Sequence, residues 1–379
     1  MTQRNVLLLL DMLDVQLHAG IGRFARTHQW HLTVDHLFEL PKGWNGQGAL
    51  VVLRAREQVN SYVKKLRVPV VDFGIYQPMI KVSRVIGDHE AIGRMAAEHF
   101  KSRFFQHFAW VSMRWSPVHA LRLRGFTHQK PVEKWVWAEH APQARQDDWD
   151  AFAKWLGKKL ADAPKPLAIL TYNDYDASRV LDTCIRFGIT VPDEVAILGV
   201  DNNTLVCENQ PVPLASIEHN LEEIGYQGAA LLQELMEGRP KVCEPILIPP
   251  KGIVLRQSAD LIAVRNPTVR DTLIYVKEHL NQRFGVAQVA QHLDISRATL
   301  DRIFKAETGE TLGGEIVRQR IARAKILLRS TSLKNYEIAM QTGFCNPAHL
   351  AQTFQKHLGQ SPKAYRFSMV IEKQKIWMN

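Results

Sequence analysis

Residues 286–304 read VAQVAQHLDISRATLDRIF, and this stretch decides the fold of the last third of the chain. Its apolar residues Val286, Val289 and Ala290 fall on one face of a helix, and the small Ala290 lets a second helix cross closely. Ser296 is a good N-cap, because its side-chain oxygen can accept from an exposed backbone N–H in the next turn. The spacing therefore predicts two helices joined by a tight turn, a helix-turn-helix motif.

The same pattern returns over residues 336–354, which read YEIAMQTGFCNPAHLAQTF. Gly343-Phe344 makes the turn, Asn346 caps the next helix, and Pro347 takes the first helical position, where a missing N–H does no harm. Between the two motifs, residues 313–329 have the spacing of one long basic amphipathic helix. Such a helix would hold the two motifs at a fixed separation.

The first 258 residues differ, because short apolar or β-branched runs alternate there with helical periods. Strands are predicted near residues 6–10, 49–52, 68–71, 82–86, 108–111, 167–172, 195–200 and 253–256, and helices near 15–27, 92–100, 177–187 and 221–236. This alternation predicts βαβ units around parallel sheets, and the length favours two similar lobes facing a cleft. We therefore predict a two-lobed α/β domain over 1–258, a linker over 259–267 and an all-α domain with two helix-turn-helix motifs over 268–370.

The positive charge of the chain is concentrated in its last third. Residues 266–379 contain 17 Lys plus Arg against 9 Asp plus Glu, whereas residues 1–265 contain 31 and 29. A basic domain attached to a near-neutral one is expected when only the first meets phosphate. Basic domains are also often merely soluble, so charge alone leaves nucleic-acid binding open.

Several classes of protein are disfavoured by what the sequence lacks. The apolar run at residues 6–10 is too short for a signal peptide, and no run approaches the roughly 20 apolar residues of a spanning helix. The four cysteines are scattered without CxxC spacing, so neither a disulfide framework nor a metal site is expected. No P-loop, GxGxxG, HExxH or nucleophile elbow appears, which argues against an enzyme and against a bound cofactor. We expect a cytoplasmic protein that does not bind membranes.

The paired motifs resemble the AraC family of transcription regulators over roughly residues 268–367. The matching segments are Leu300-x-x-x-Phe304-Lys305-x-x-x-Gly309, Arg320-x-x-x-Ala324-x-x-Leu327-Leu328, Ile338-Ala339-x-x-x-Gly343-Phe344 and Gly359-Gln-Ser-Pro362-x-x-Tyr365-Arg366. The resemblance implies that the second helix of each motif enters a major groove of double-stranded promoter DNA, with the two grooves on one face of the duplex. RNA polymerase is then an expected partner.

The resemblance also implies which residues read bases. At those positions this sequence has Ala298, Asp301 and Arg302 in the first motif, and Pro347, Ala348, His349 and Gln352 in the second. Arg302 can bind guanine and Gln352 adenine, whereas Asp301 either accepts from cytosine or orients Arg302. Because Pro347 cannot hydrogen-bond a base, we expect the second motif to read sequence less strictly. Lys305, Lys356 and Lys363 are phosphate contacts or ordinary solvated lysines. Arg297 is a further outward-facing residue of the first motif.

The first 258 residues resemble the sugar-binding core of LacI-type repressors and periplasmic sugar receptors. The segments that carry this resemblance are Gly20-Ile-Gly22, Arg122-x-x-Gly125-Phe126, Asn173-Asp174, Val191-Pro192-Asp193, Gly199-Val-Asp201-Asn202 and Gly225-Tyr-x-Gly228. A LacI-like sensor joined to an AraC-like reader is the arrangement of regulators of xylose operons. The resemblance therefore implies a pentose effector such as D-xylose, bound between the lobes.

Carboxylates and a guanidinium are the groups best suited to hold adjacent sugar hydroxyls. Arg122, Asp174 and Asp201 match ligand-contact positions of the resembled family. Weaker candidates are Asp11 or Asp14 after the first strand, Asp88 and His89 after residues 82–86, and Trp115 or Trp44 as an aromatic surface for the sugar. Each has a structural alternative: Asp201 in a cap or hinge, Trp115 in a core, and Asp88 paired with an arginine.

Taken together, these features predict a sugar-responsive transcription regulator, an activator that works as a homodimer. One alternative is a regulator that responds to a different sugar. Another is a ligand-independent DNA-binding protein whose lobes serve only as a dimerisation scaffold.

Overall fold

The computed structural model describes residues 3–10, 15–34, 40–54, 57–128, 131–141, 148–240, 244–264 and 266–367. The chain divides into two compact units, Met1–Leu261 and Ile262–Asn379. This division falls inside the segment predicted as a linker. The first unit is built of strands and helices, and the second of helices alone in its described part, which confirms the predicted fold class.

The first unit alternates strands with helices along the chain. Its described strands are β1 (Arg4–Leu9), β2 (Trp30–Val34), β3 (Gly48–Val51), β4 (Val70–Asp72), β5 (Ser83–Gly87), β6 (His107–Ser112), β7 (Glu133–Val136), β8 (Leu167–Thr171), β9 (Val195–Val200), β10 (Ala215–Glu218), β11 (Ile246–Ile248) and β12 (Gly252–Val254). Its described helices are α1 (Val15–Thr27), α2 (Glu57–Lys65), α3 (His89–Ser102), α4 (Pro117–Phe126), α5 (Trp137–His140), α6 (Trp149–Asp162), α7 (Asp174–Arg186), α8 (Thr204–Cys207) and α9 (Leu221–Met236).

The strands form two six-stranded sheets, one for each lobe. The order is β11-β5-β4-β3-β1-β2 in the first lobe and β12-β10-β9-β8-β6-β7 in the second. The first sheet is parallel throughout, and in the second only β12 runs antiparallel to its neighbour. Helices cover both faces, so β9 is apolar along its whole length and β1 is apolar after Arg4 and Asn5, rather than alternating.

The chain crosses between the lobes at three described places. β5 leads into α3, β10 leads into α9, and β11 leads into β12. The crossings are tied to one another: the Asp88 N–H donates to the Ile248 carbonyl at 2.8 Å, and the Lys251 N–H donates to the Glu218 carbonyl at 3.0 Å. Three crossings joined in this way form a hinge, about which two lobes can open and close.

Glycines allow two pairs of helices to touch backbone to backbone. A Cβ on Gly20 of α1 would lie 1.9 Å from the Glu222 carbonyl oxygen of α9. In the second lobe, a Cβ on Gly93 of α3 would lie 2.0 Å from the Arg122 carbonyl oxygen of α4, and one on Gly125 would lie 2.0 Å from that of Glu90. Each pair is therefore locked together and moves as one body.

Helix starts differ from the predictions where a side chain caps the helix. The helix predicted at 92–100 begins at His89, because the Asp88 carboxylate accepts from the Ala91 N–H. The helix predicted at 177–187 begins at Asp174, because Asn173 accepts from the Asp176 N–H. Apolar periodicity marks the buried part of a helix and misses a polar first turn.

The second unit contains the two predicted helix-turn-helix motifs. Its helices are α10 (Pro267–Glu278), α11 (Val286–His292), α12 (Arg297–Thr308), α13 (Leu312–Ser330), α14 (Asn335–Gln341) and α15 (Pro347–Leu358), followed by helical residues 362–367. The predicted caps are confirmed, since Ser296 accepts from the Thr299 N–H and Asn346 from the His349 N–H. The predicted linking helix is α13.

No helix in the described ranges is long and apolar enough to cross a membrane.

The contact between α1 and α9 gives a test within one helix. Gly20→Ala is expected to lower the free energy of unfolding by about 1–3 kcal/mol or more, because its Cβ would overlap a backbone carbonyl. Gly22→Ala is the matched control, since its Cβ would lie 3.5 Å from the Arg26 guanidinium and meet nothing closer. Alanine raises helix propensity by up to about 1 kcal/mol, so Gly22→Ala is expected to be neutral or stabilising. Denaturant unfolding followed by tryptophan fluorescence measures both, and equal stability of the two variants would contradict this packing.

Candidate ligand cleft and nucleic-acid interface

The candidate ligand site lies at the carboxyl ends of the parallel strands of the second lobe. Trp115 follows β6, Tyr172 follows β8 and Asp201 follows β9. Ligands of open α/β sheets bind at this edge, because the loops there are free to carry side chains of any chemistry. The helix α4 adds the guanidinium of Arg122 to the same place.

Arg122 is buried and is surrounded by groups that compensate its charge. Its side chain is 3% exposed, Nη1 donates to the Tyr172 carbonyl, and the guanidinium lies 5.0 Å from the centre of the Tyr172 ring. Nη2 lies 3.7 Å from Oδ1 of Asp201, close enough for charge attraction but too far for a hydrogen bond. Nε has no hydrogen-bond partner among the described residues. The guanidinium therefore keeps a donor that no described residue satisfies.

Asp201 is held in an uncommon backbone conformation. Its φ is 104° and that of Asn202 is 53°, both in the region that favours glycine. Such a conformation costs about 1–3 kcal/mol per residue and persists where the surroundings impose it. Here the Asp201 N–H donates to the Ile217 carbonyl and the Asn202 N–H to Oγ of Ser216, each at 2.9 Å. The result is a carboxylate that faces both Arg122 and the hinge while its side chain stays 35% exposed.

Histidines extend the site from Arg122 to the hinge. Nδ1 of His219 lies 3.5 Å from Oδ1 of Asp201, and the His219 and His89 rings are 5.1 Å apart. His119 stacks on Tyr172 at 3.8 Å. Burial and the neighbouring Arg122 hold the pKa of His89 well below its usual value and lower that of His119 to about 3. Both are therefore neutral imidazoles at physiological pH, each able to donate one hydrogen bond and accept another.

Asp174 belongs to the interior of the second lobe rather than to the cleft surface. It is 1% exposed, and its two oxygens accept from the Ser216 hydroxyl at 2.6 Å and from the Asn203 N–H at 2.7 Å. Burial and the charge of Asp201 raise the pKa of Asp174 to about 7. The prediction of Asp174 as a ligand contact has no support in this geometry. Its carboxylate instead joins the start of α7 to the loop after β9 and to strand β10, and so supports Asp201.

The weaker candidates divide in the same way. Asp88 caps α3, and its carboxylate lies 3.6 Å from the Arg94 guanidinium. This is the pairing with an arginine that was the alternative to a ligand contact. Trp115 is 43% exposed and its ring lies 5.8 Å from that of His119, beside the cleft residues. Trp44 packs against the core of the first lobe. Asp11 and Asp14 lie outside the described residues.

Sequence reasoning missed His219 and gave Tyr172 no role. His219 follows β10, a strand that was not predicted because Ala-Ser-Ile-Glu is short and only half apolar. A histidine directly after a predicted β10 would have been the signal. Tyr172 directly precedes the quoted Asn173-Asp174, but nothing in the sequence shows that its carbonyl meets Arg122.

The candidate DNA-reading residues share one exposed face in each motif. On α12, Arg297, Ala298, Arg302 and Lys305 are exposed, and Leu300 and Phe304 are buried. On α15, Pro347, Ala348, His349, Gln352 and Lys356 are exposed, and Leu350 and Phe354 are buried. Lys363, after α15, is exposed as well. The predicted orientation of these side chains is thus present in both motifs.

Two details of the motifs differ from the expectations. Nε of Arg297 lies 3.7 Å from Oδ2 of Asp301, so the described partner of Asp301 is the residue one turn before it rather than Arg302. The helical spacing of the second motif predicts that Thr353 faces outwards beside Gln352, and this prediction is wrong, because Thr353 is 9% exposed. It lies directly before Phe354, on the side of α15 that packs against the rest of the unit.

A buried arginine holds the two motifs to the linking helix. Arg320 of α13 donates to the carbonyls of Gln282 and Phe284, just before α11, at 3.1 and 3.0 Å. Nearby, Arg283 donates to the carbonyl of Cys345 in the turn of the second motif at 2.7 Å. Gly343 in that turn has a φ of 69°, and a Cβ there would lie 2.4 Å from the Gln282 carbonyl oxygen. One loop thus positions both motifs.

Within the described part of the chain, no group of three His, Cys, Asp or Glu side chains is placed to hold a metal ion.

Comparison with known proteins matches both units. A periplasmic binding protein-like domain matches residues 97–259, and a helix-turn-helix domain matches residues 289–367. The xylose operon regulatory protein of Escherichia coli strain K12 is 26% identical over 371 residues, which cover 93% of each chain. The chain is thus similar over almost its whole length to a xylose operon regulatory protein.

Two further comparisons find similar regulators. The xylose operon regulatory protein of Haemophilus influenzae is 28% identical over 288 residues, 74% of each chain. A solved structure of a xylose-binding transcription activator matches with a TM-score of 0.58 and 25% identity, covering 97% of this chain and 99% of that one. These relatives confirm the expectation of a DNA-binding transcription regulator rather than an enzyme.

Proposed function

We propose that this regulator senses a pentose, D-xylose in the first instance, in the cleft beside Arg122 and Asp201. The observation that carries the proposal is the pairing of a buried guanidinium with a half-exposed carboxylate at 3.7 Å. A sugar hydroxyl between them can accept a hydrogen bond from the guanidinium and donate one to the carboxylate at the same time. The names of the relatives support D-xylose as the first ligand to test.

The surrounding groups favour a neutral sugar. Asp201 already offsets the charge of Arg122, and His89 and His119 are neutral, so a second negative charge would find little unpaired positive charge here. Trp115 offers an exposed ring on which the C–H face of a sugar can stack. Because Arg122 is only 3% exposed, a ligand reaches it when the lobes open at the hinge, and it is enclosed when they close.

Removal of the buried guanidinium tests the ligand site. A ligand at 100 times its Kd adds about 2.7 kcal/mol to the free energy of unfolding, and this is expected for D-xylose and the wild-type chain. Arg122→Met is expected to lose the shift, measured as thermal stability with and without sugar. Arg124→Met on the same helix is the matched control, because Arg124 is 63% exposed and pairs only with Glu90 in the described contacts. A shift retained by Arg122→Met would contradict the assignment, and no shift with any pentose in the wild type would contradict the function.

We further infer that α12 and α15 read promoter DNA in two major grooves. Each helix begins at a capped N-terminus, and each exposes polar side chains, Arg302 on α12 and Gln352 on α15, away from its buried leucine and phenylalanine. The salt bridge between Arg297 and Asp301 leaves Arg302 as the exposed guanidinium on α12 best placed for a guanine edge. Lys305 and Lys356 then contribute phosphate contacts.

Arg302 provides the test of base reading. Arg302→Ala is expected to cost about 1–3 kcal/mol of binding free energy and to relax the preference at one base pair. The measurement is affinity for a duplex selected from a random pool by the wild-type chain, and for its single-base variants. Lys305→Ala serves as the comparison, since loss of a phosphate contact weakens all duplexes alike. If Arg302→Ala also weakened all duplexes equally, Arg302 would be a phosphate contact.

Activation by a homodimer, through contact with RNA polymerase, belongs to the same proposal. One of the similar solved structures is that of a transcription activator, which supports activation rather than repression. Transcription in vitro with purified polymerase is expected to rise when D-xylose is added together with the regulator. A fall in transcription would make the protein a repressor.

A further inference from the structure

We propose that Arg103 fixes the end of the sensor unit to the helix pair α3–α4, so that the linker moves with the second lobe when the cleft closes. The inference rests on the proposed sensing function. It concerns residues 258–261, the last of the first unit, which lead directly to the DNA-binding unit at Ile262.

The helix α3 connects the hinge to the exit of the unit. It begins at the crossing with Asp88 and His89, and it ends with Ser102 and the C-cap residue Arg103. A helix of this length spans about 21 Å at 1.5 Å per residue. Its packing on α4 through Gly93 and Gly125 leaves no room for sliding. Since α4 carries Arg122, any displacement of Arg122 by a ligand is shared by the whole of α3.

The last turn of α3 holds the exit segment directly. Nη1 of Arg103 lies 2.9 Å from Oδ1 of Asp260 and donates to the Leu261 carbonyl at 3.4 Å. His99, one turn earlier and half-buried, hydrogen-bonds the backbone of Ala259. Two side chains from one end of the helix therefore hold three consecutive residues.

The sheet of the second lobe anchors the same segment from the other side. Ser258 is fully buried; its hydroxyl donates to the Ile197 carbonyl at 2.7 Å and accepts from the Ala215 N–H at 2.9 Å. These carbonyl and N–H groups belong to β9 and β10, the strands that precede Asp201 and His219. The exit segment is thus attached to the elements that carry the candidate ligand residues.

The ion pair of Arg103 and Asp260 contributes more to the position of the exit segment than to the stability of the fold. The Arg103 side chain is 14% exposed and that of Asp260 is 44% exposed, and partly exposed ion pairs contribute little to folding. A contact of small energetic value can still decide where a chain leaves a domain. The linker position is therefore the property that a substitution at Arg103 changes.

The experiment compares sugar binding with the DNA response in the full-length chain. The probes are D-xylose and a duplex selected from a random pool by the wild-type protein. Wild type is expected to change its duplex affinity with D-xylose by about 5–150-fold, the usual range of allosteric coupling. Arg103→Ala is expected to bind D-xylose with unchanged affinity but to change its duplex affinity by less than about twofold.

Three variants make the result specific to the contact. Lys101→Ala, in the same turn, is the control and should respond like wild type. Arg103→Lys should retain most of the response, because an ammonium can still reach Asp260. The double variant Arg103→Asp, Asp260→Arg should recover the response that each single change loses. A wild-type response from Arg103→Ala would overturn the proposal.

Amide hydrogen exchange separates this inference from the sensing function. In Arg103→Ala the backbone amides of residues 259–264 should exchange faster than in wild type with no sugar present, because the exit segment loses its anchor. If D-xylose does not bind the wild-type chain, the sensing function fails while faster exchange still supports the anchor. Unchanged exchange at these residues would overturn the anchor whatever the sugar does.

Discussion

The buried guanidinium of Arg122 is the constraint on which the rest of the first unit depends. A charge removed from water must be compensated by opposite charge and hydrogen bonds, or the folded state loses several kcal/mol. Asp201, the Tyr172 carbonyl and the Tyr172 ring provide that compensation from the ends of two neighbouring strands. Three features bring these groups together. The backbone at Asp201 is left-handed, Asp174 and Ser216 support it, and α3 and α4 cross closely.

In the same arrangement the proposed sugar site and the hinge share residues. Asp201 faces Arg122 on one side and His219 on the other, and His219 stands where the chain crosses to the first lobe. A ligand that bonds to Asp201 or Arg122 therefore changes the balance of contacts at a crossing. A ligand shifts the equilibrium between open and closed lobes only by the difference in its affinity for the two states. Residues at a hinge have different contacts in the two states, so a ligand bound there can have such a difference. In the second unit, the loop over 282–284 plays a comparable part by positioning both motifs through Arg320 and Arg283.

Much of this was predictable from the sequence because it depends on local rules. The paired motifs, their caps at Ser296 and Asn346 and the helices over 15–27 and 221–236 follow from apolar periodicity and polar capping. The strands β2, β7 and β10 were missed, since four or five residues of mixed polarity carry too weak a period, and β11 was missed because its three apolar residues are too few to show one. In the cleft, the sequence pointed to Arg122 and Asp201 but did not show their separation. It also could not distinguish Asp174, whose oxygens are both used internally, from a carboxylate that faces the ligand, because hydrogen bonds to residues 29 and 42 positions away leave no local pattern.

The central claim is that a sugar in the first unit and DNA on the second affect each other, and reciprocity tests it most directly. If D-xylose changes the affinity for DNA by some factor, then DNA must change the affinity for D-xylose by the same factor. The measurement is a calorimetric titration of D-xylose into the full-length regulator, alone and saturated with its selected duplex. The account predicts two different Kd values whose ratio equals the change in duplex affinity caused by D-xylose. Identical Kd values with and without the duplex would contradict it.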